Sequence, residues 1–273
     1  MDKHLRPALA ELIGTFALVF VSAGAVCASQ LAFSAGSAQL PLLTISLASG
    51  LILAVMLPIT LPLGGGFLNP AITLTLWVFK RIPGNRAAWL IGAQIVGAFV
   101  AALCLRPMFT ESVLADARFG TPHLNMLAYG GTMYGTPTVA MMLSGIGVEF
   151  VLTFIFTFAI YGALLDPRAP QLGIVGPGVT LTAVMLMGYP LTGAAVNPAR
   201  WLGPALWELT LNPHAFRDHA IYWIGPIFGA LLAGGIYEYL LWPAAADSRA
   251  AVEASSSSAA TPGVVTSTLF KKK

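Results

Sequence analysis

Long apolar runs, broken by short polar turns, set the pattern of this chain. They fall near residues 8–28, 42–62, 88–105, 138–163, 172–190 and 220–242, each close to the ~20 residues a spanning helix needs. The runs are continuous rather than alternating with period two, which selects helices over a membrane β-barrel. Two further apolar pieces, 69–79 and 197–208, are too short to cross, since about ten residues at ~1.5 Å rise reach only half of a bilayer core. Each begins at an Asn-Pro-Ala triplet. The pattern predicts an all-α membrane protein with six transmembrane helices plus two re-entrant half-helices. The first run is longer than the apolar region of a secretory signal peptide and carries Glu11, so it reads as a mature helix.

An internal repeat orders these elements. The segment "AELIGTFALVF" at 10–20 resembles "VEFVLTFIFTF" at 148–158, each with a glutamate about one turn in and an Asn-Pro-Ala triplet at comparable spacing downstream. The chain therefore reads as one membrane domain over 1–243, made of repeat halves at about 8–106 and 138–242. Three spans per half is an odd number, so the halves enter the membrane from opposite sides as an inverted internal repeat. Ala93, Gly97 and Ala101 recur as Gly225, Gly229 and Ala233. Small residues four apart let helices approach closely in lipid, and packing is their whole role.

Composition agrees: 57% of residues are hydrophobic and 9% charged, too few charges to cover a soluble surface. Cys27 and Cys104 lie in apolar runs with no metal or redox spacing and read as packing residues. The net charge of +3 says less than its distribution. Lys3, Arg6, Lys80, Arg81, Arg86, Arg168, Arg249 and Lys271 to Lys273 mark one set of segments as cytoplasmic, both termini included. Arg106, Arg118 and Arg217 fall in the opposite loops, accompanied by Glu111, Asp116 and Asp218. The expectation is a multi-pass protein of the cell membrane. Residues 244–273, small, polar and of low complexity, read as a disordered cytoplasmic tail.

The two triplets carry the chemistry. Asparagine can cap a helix and proline suits the first helical position, so one triplet alone is explained as a cap. Two of them, in inverted halves, starting helices that stop at mid-membrane, require more. Non-helical backbone at that depth is tolerated only where it is buried in protein or lines a polar cavity, and a pore supplies such a cavity. Arg200, Glu11 and Glu149 are charges inside the membrane, expensive unless paired or facing water.

The segments "ELIGTFALVF", "GGGFLNPAITL" and "GAAVNPARWLGPAL" resemble the signatures of the aquaporin and aquaglyceroporin (major intrinsic protein) family, and the likeness covers residues 8 to 242. The resemblance implies an aquaporin-like fold whose half-helices meet back to back, assembled as a homotetramer with one pore per subunit. It implies pore motifs at Asn69, Pro70, Ala71 and at Asn197, Pro198, Ala199. The loops before them, Gly65, Gly66, Phe67, Leu68 and Gly193, Ala194, Ala195, Val196, would turn backbone carbonyls to the lumen. Glu11 and Glu149 would support those loops by hydrogen bonds. Each half-helix N-terminus, worth roughly +0.5 charge, would oppose cations and protons.

The family builds its constriction from four positions, and spacing from the triplets maps them onto Ser49, Met185, Ala194 and Arg200. Water-selective members typically carry Phe and His at the first two; glycerol channels carry a bulky aromatic, Gly and a second aromatic. This chain has neither set. Two small residues and a flexible thioether imply an aperture wide enough for glycerol, urea or uncharged metalloid acids besides water. Ala205, Tyr222 and Trp223 resemble water-channel positions instead, and Phe67 replaces the histidine common before the first triplet. A strictly water-selective aquaporin, a secondary transporter and a closed-pore structural membrane protein are the alternatives. Water, small neutral solutes and the lipid bilayer are the expected partners, with no nucleic acid, cofactor or metal. No enzyme is expected: phosphate loop, histidine pair and nucleophile motif are all missing, and "GIVGPG" at 173–178 lacks a strand before it. The outer loop 106–137, long for the family, carries His123, Tyr129 and Tyr134.

Overall fold

The computed structural model describes residues 4–132, 135–170, 173 and 175–242; the expected tail at 244–273 and Tyr134 lie outside them. Among these residues the regular structure is helical. The first half supplies α1 (Leu5–Ser34), α2 (Leu42–Thr60), the short α3 (Pro70–Val78) and α4 (Gly84–Leu103). A further short helix, α5 (Glu111–Asp116), lies in the connecting loop. The second half repeats the order with α6 (Val139–Ile160), α7 (Gly176–Thr192), the short α8 (Pro198–Glu208) and α9 (His219–Ile236). Both α6 and α9 run on through a π-helical turn, Tyr161–Leu165 and Tyr237–Leu241.

Among the described residues, five helical stretches are long and apolar enough to cross a membrane. The sixth, α7, has 17 residues, which at ~1.5 Å each still spans about 25 Å. Large apolar side chains cover the outer surface, and several polar groups are enclosed with the core. Val139, Leu143, Val179 and Phe228 face outward, while Thr15, Ser46, Thr73, Gln94, Thr153 and both membrane glutamates are fully enclosed.

The halves interlock. Helix α1 packs on α4 and α6 on α9, while α2 of one half packs on α7 of the other. Each short helix leans mainly across the divide, α3 on α9 and α8 on α4. The small-residue rows make the long crossings possible. A Cβ on Gly97 would run into the Leu12 carbonyl, and one on Gly229 into that of Phe150. This brings the starts of α3 and α8 together in the middle of the bundle.

Candidate functional site

Asn69 and Asn197 cap the two short helices from extended backbone, at φ −153° in both cases. Asn69 Oδ1 accepts from the Ala71 amide at 2.9 Å; Asn197 Oδ1 accepts from Ala199 at 3.0 Å and Arg200 at 3.4 Å. Pro70 and Pro198 stand at the first helical positions, where a missing donor does no harm. The amide nitrogens cross over. Asn69 Nδ2 donates to the Val196 carbonyl at 2.8 Å and Asn197 Nδ2 to the Leu68 carbonyl at 2.7 Å. An amide carries two hydrogens, so each asparagine keeps one beyond this bond.

The loops before the triplets are matched in conformation. Gly66 and Leu68 take φ 96° and 52°, and the equivalent Ala194 and Val196 take 46° and 44°; Gly193 adds 76°. A left-handed valine costs about 1–3 kcal/mol and persists only where its surroundings over-determine it. The glutamates provide that constraint. Glu11 accepts from the amides of Phe67 at 2.9 Å and Leu68 at 2.7 Å, and Glu149 from Ala195 at 2.9 Å and Val196 at 2.8 Å. Both are fully buried, and several charge-assisted bonds each offset the desolvation of a carboxylate.

The third bonds to these glutamates come from residues the sequence reading passed over. Gln94 Nε2 donates to Glu11 at 2.8 Å and also lies 2.9 Å from Thr73 Oγ1, and Thr192 Oγ1 donates to Glu149 at 2.7 Å. A lone glutamine within an apolar span was the available signal for Gln94. Thr192 had none, since its partner lies 43 positions away.

A cavity opens beside the second triplet. Ser49 from α2, Met185 from α7, Ala194 from the loop and Arg200 from α8 all line it, with Ala195, Val196 and Asn197. Leu18, Ser22, Phe156 and Leu181 complete the wall; none of these four was singled out, because nothing in the sequence marks which residues of the spans α1, α6 and α7 turn inward. The lining is two-sided, with Leu18, Phe156, Leu181 and Met185 apolar and the serines, Asn197 and Arg200 polar. Ser49 Oγ donates to its own helix at Ile45, 3.0 Å away. Arg200, in the first turn of α8, is 5% exposed and its Nη1 has no hydrogen-bond partner within the chain. Asn69 and the residues Gly65 to Leu68 are buried but do not line this cavity. A cation in a helix's first turn adds to the positive end of the dipole, so the polar side is electropositive. Such a surface can donate hydrogen bonds to neutral oxygens while repelling cations.

Comparison with known proteins places this architecture. The family model described as "Major intrinsic protein" matches residues 2–237. "Aquaporin TIP4-4" of Zea mays is 38% identical over 240 residues, covering 86% of each chain. "Lens fiber major intrinsic protein" of Lithobates pipiens is 34% identical over 240 residues, covering 87% of this chain and 82% of that one. Among solved structures, the aquaglyceroporin from Plasmodium falciparum superposes with a TM-score of 0.74 at 18% identity, covering 87% of this chain and 97% of that one; this likeness concerns the fold.

Proposed function

We propose, because this chain belongs to the major intrinsic protein family, that its cavity is the constriction of a pore open to small neutral solutes as well as water. The chain is a passive membrane channel, not an enzyme. The observation that carries the finer reading is the meeting of Ser49, Met185, Ala194 and Arg200 around one volume. Two small side chains and an adaptable thioether leave the aperture broad, and the apolar wall suits the carbon face of glycerol. Arg200 Nη1, lacking a partner in the chain, and the spare amide hydrogens of Asn69 and Asn197 would donate to water, hydroxyl or urea oxygens. The carbonyls leading to each triplet would accept in return. Arg200 and the two half-helix N-termini would exclude ions and protons.

The charge partition supports a cell-membrane topology with both termini cytoplasmic. At one end of the bundle Arg81 pairs with Glu238 at 2.5 Å, and Arg168, paired with Asp166 at 2.7 Å, donates to the Leu241 carbonyl at 3.1 Å, joining the basic turns to the turn that follows α9. Outward apolar faces suit lipid and three neighbours of a homotetramer. Stopped-flow light scattering of proteoliposomes tests the reading. Water and at least one of glycerol and urea should cross faster than in empty vesicles. Acceleration of water alone would restrict the pore to water, and no acceleration of any would reject an open pore.

A further inference from the structure

The outer loop is tied down on both sides of the pore mouth. Arg118, Phe119 and Gly120 take φ values of 52°, 53° and 69°, a turn that buries Phe119 completely against Ala23, Cys27 and Leu105. From there residues 121–125 run along the end of α7. The Asn125 amide donates to the Leu191 carbonyl at 2.9 Å and its side chain to that of Pro190 at 2.9 Å. Pro122 and the His123 amide occupy the space that a Cβ on Gly193 would need. Gly193 immediately precedes Ala194, which lines the cavity.

An ionisable cluster holds this segment in place. His123 Nδ1 lies 3.1 Å from both oxygens of Asp218, and Nε2 lies 2.6 Å from Glu208 Oε2. The three side chains are 7%, 1% and 2% exposed. Asp218 also accepts from the Leu124 amide at 2.8 Å, and Glu208 from Arg118 at 2.9 Å and Asn212 at 2.8 Å. Tyr222 of α9 faces the same charges, but its hydroxyl donates to the Thr192 carbonyl at 2.8 Å. Carboxylates at both ring nitrogens require both to donate, which only the imidazolium can do.

We propose that His123 is a positioning residue for the constriction: by bridging Glu208 at the end of α8 and Asp218 at the start of α9, it presses residues 121–125 onto the loop that carries Ala194 and so sets the aperture. The proposal rests on the cavity being that constriction; His123 itself does not line it. Burial alone would lower the His123 pKa, but the hydrogen bonds and charges of Asp218 and Glu208 outweigh it and raise the value above the ordinary 6.5. Burial would raise the Asp218 pKa, yet the His123 bond and charge hold it below the usual carboxylate range. The clasp is therefore complete below about pH 6.5 and weakens as pH rises through the elevated imidazole value, while Asp218 stays ionised. A neutral ring donates from one nitrogen only, so one carboxylate loses its bond to the ring and the segment loosens.

The test is stopped-flow permeability of the full chain in proteoliposomes to water and glycerol, from about pH 6 to about pH 9. The glycerol-to-water permeability ratio of the wild type should rise about threefold or more across that range. His123→Gln, never cationic, should show the raised ratio at every pH, and His123→Lys, cationic throughout, should keep the low one. A wild-type ratio that stays flat while water still passes overturns the proposal, with no need for either variant to fold. A His123→Gln variant that follows the wild-type profile overturns it too. Water and glycerol fluxes equal to those of empty vesicles at every pH would instead reject the pore reading on which it rests.

Discussion

The side-chain amide of Asn69 donates to the carbonyl of Val196 at 2.8 Å, and its counterpart Asn197 returns the bond to Leu68 at 2.7 Å. Each asparagine caps its own half-helix and at the same time ties down the loop entering the other. The two halves of the repeat are therefore locked at the bundle centre by four polar groups that lipid could not satisfy. Neither half-helix can be placed alone.

Reciprocal bonding predicts coupling between the triplets. Asn69→Ala should destabilise the fold by about 2 kcal/mol, combining a lost cap with a lost hydrogen bond. Asn197→Ala should cost about the same. Because either substitution already frees part of the other's loop, the double variant should fall short of additivity by about 1 kcal/mol. Unfolding of the four proteins in detergent measures the cycle, and additive losses would show that the triplets act independently.

Glu149 makes a sharper case. A glutamine there keeps one acceptor oxygen but turns an NH2 toward the amide of Ala195 or Val196, and an orphaned buried donor costs about 1–3 kcal/mol. The strain at Val196, with φ 44°, then loses its restraint. Glu149→Gln should lower the melting midpoint well below that of Thr192→Val, which removes one hydroxyl donor among three donors to the carboxylate. Equal midpoints would mean the carboxylate does not hold the loop.

The sequence discloses this architecture to an unusual degree because membrane burial makes each polar residue conspicuous. Six apolar runs and two short ones correspond to eight of the helices, and the matched glutamates and triplets reveal the repeat. What stays hidden depends on neighbours distant along the chain. Arg81 reads as one member of a basic cluster, yet it is clamped by Glu238 and lies 3.6 Å from the centre of the Trp242 ring. His123 reads as a loop residue, yet it is enclosed by carboxylates 85 and 95 positions on. Helix α5 escapes notice because six residues show no period. Leu18 and Phe156, at equivalent positions after the two glutamates, look like any apolar residues of a span, although both face the cavity.

Helix contact at Gly229 leaves no room for growth. Any Cβ there meets the Phe150 carbonyl and the Phe154 amide, backbone atoms that cannot swing aside. Gly229→Leu should abolish folded protein and Gly229→Ala should cost about 1–3 kcal/mol. The repeat predicts the same ranking at Gly97, which abuts Leu12 and Phe16. Size-exclusion profiles of detergent extracts report the outcome; a monodisperse Gly229→Leu protein would mean that α6 and α9 can separate without loss.

Selectivity should follow the two sides of the cavity separately. Met185, 2% exposed, is part of the cavity's apolar lining, and a rigid ring there removes width without adding a donor. Met185→Phe should reduce glycerol permeability about tenfold while lowering water permeability far less, since one extra bulky group in a pocket is worth about 1–3 kcal/mol of discrimination. Arg200→Ala acts on the polar side. It removes an electropositive group and opens space, so larger neutral solutes should cross faster and cation leak should appear. The combination tests independence, because Met185→Phe should restore glycerol exclusion in the Arg200→Ala background but leave its ion leak, which depends on charge rather than width. Paired stopped-flow and ion-flux measurements on the three variants would distinguish the contributions; an ion leak that Met185→Phe abolishes would show that size, not charge, excludes ions here.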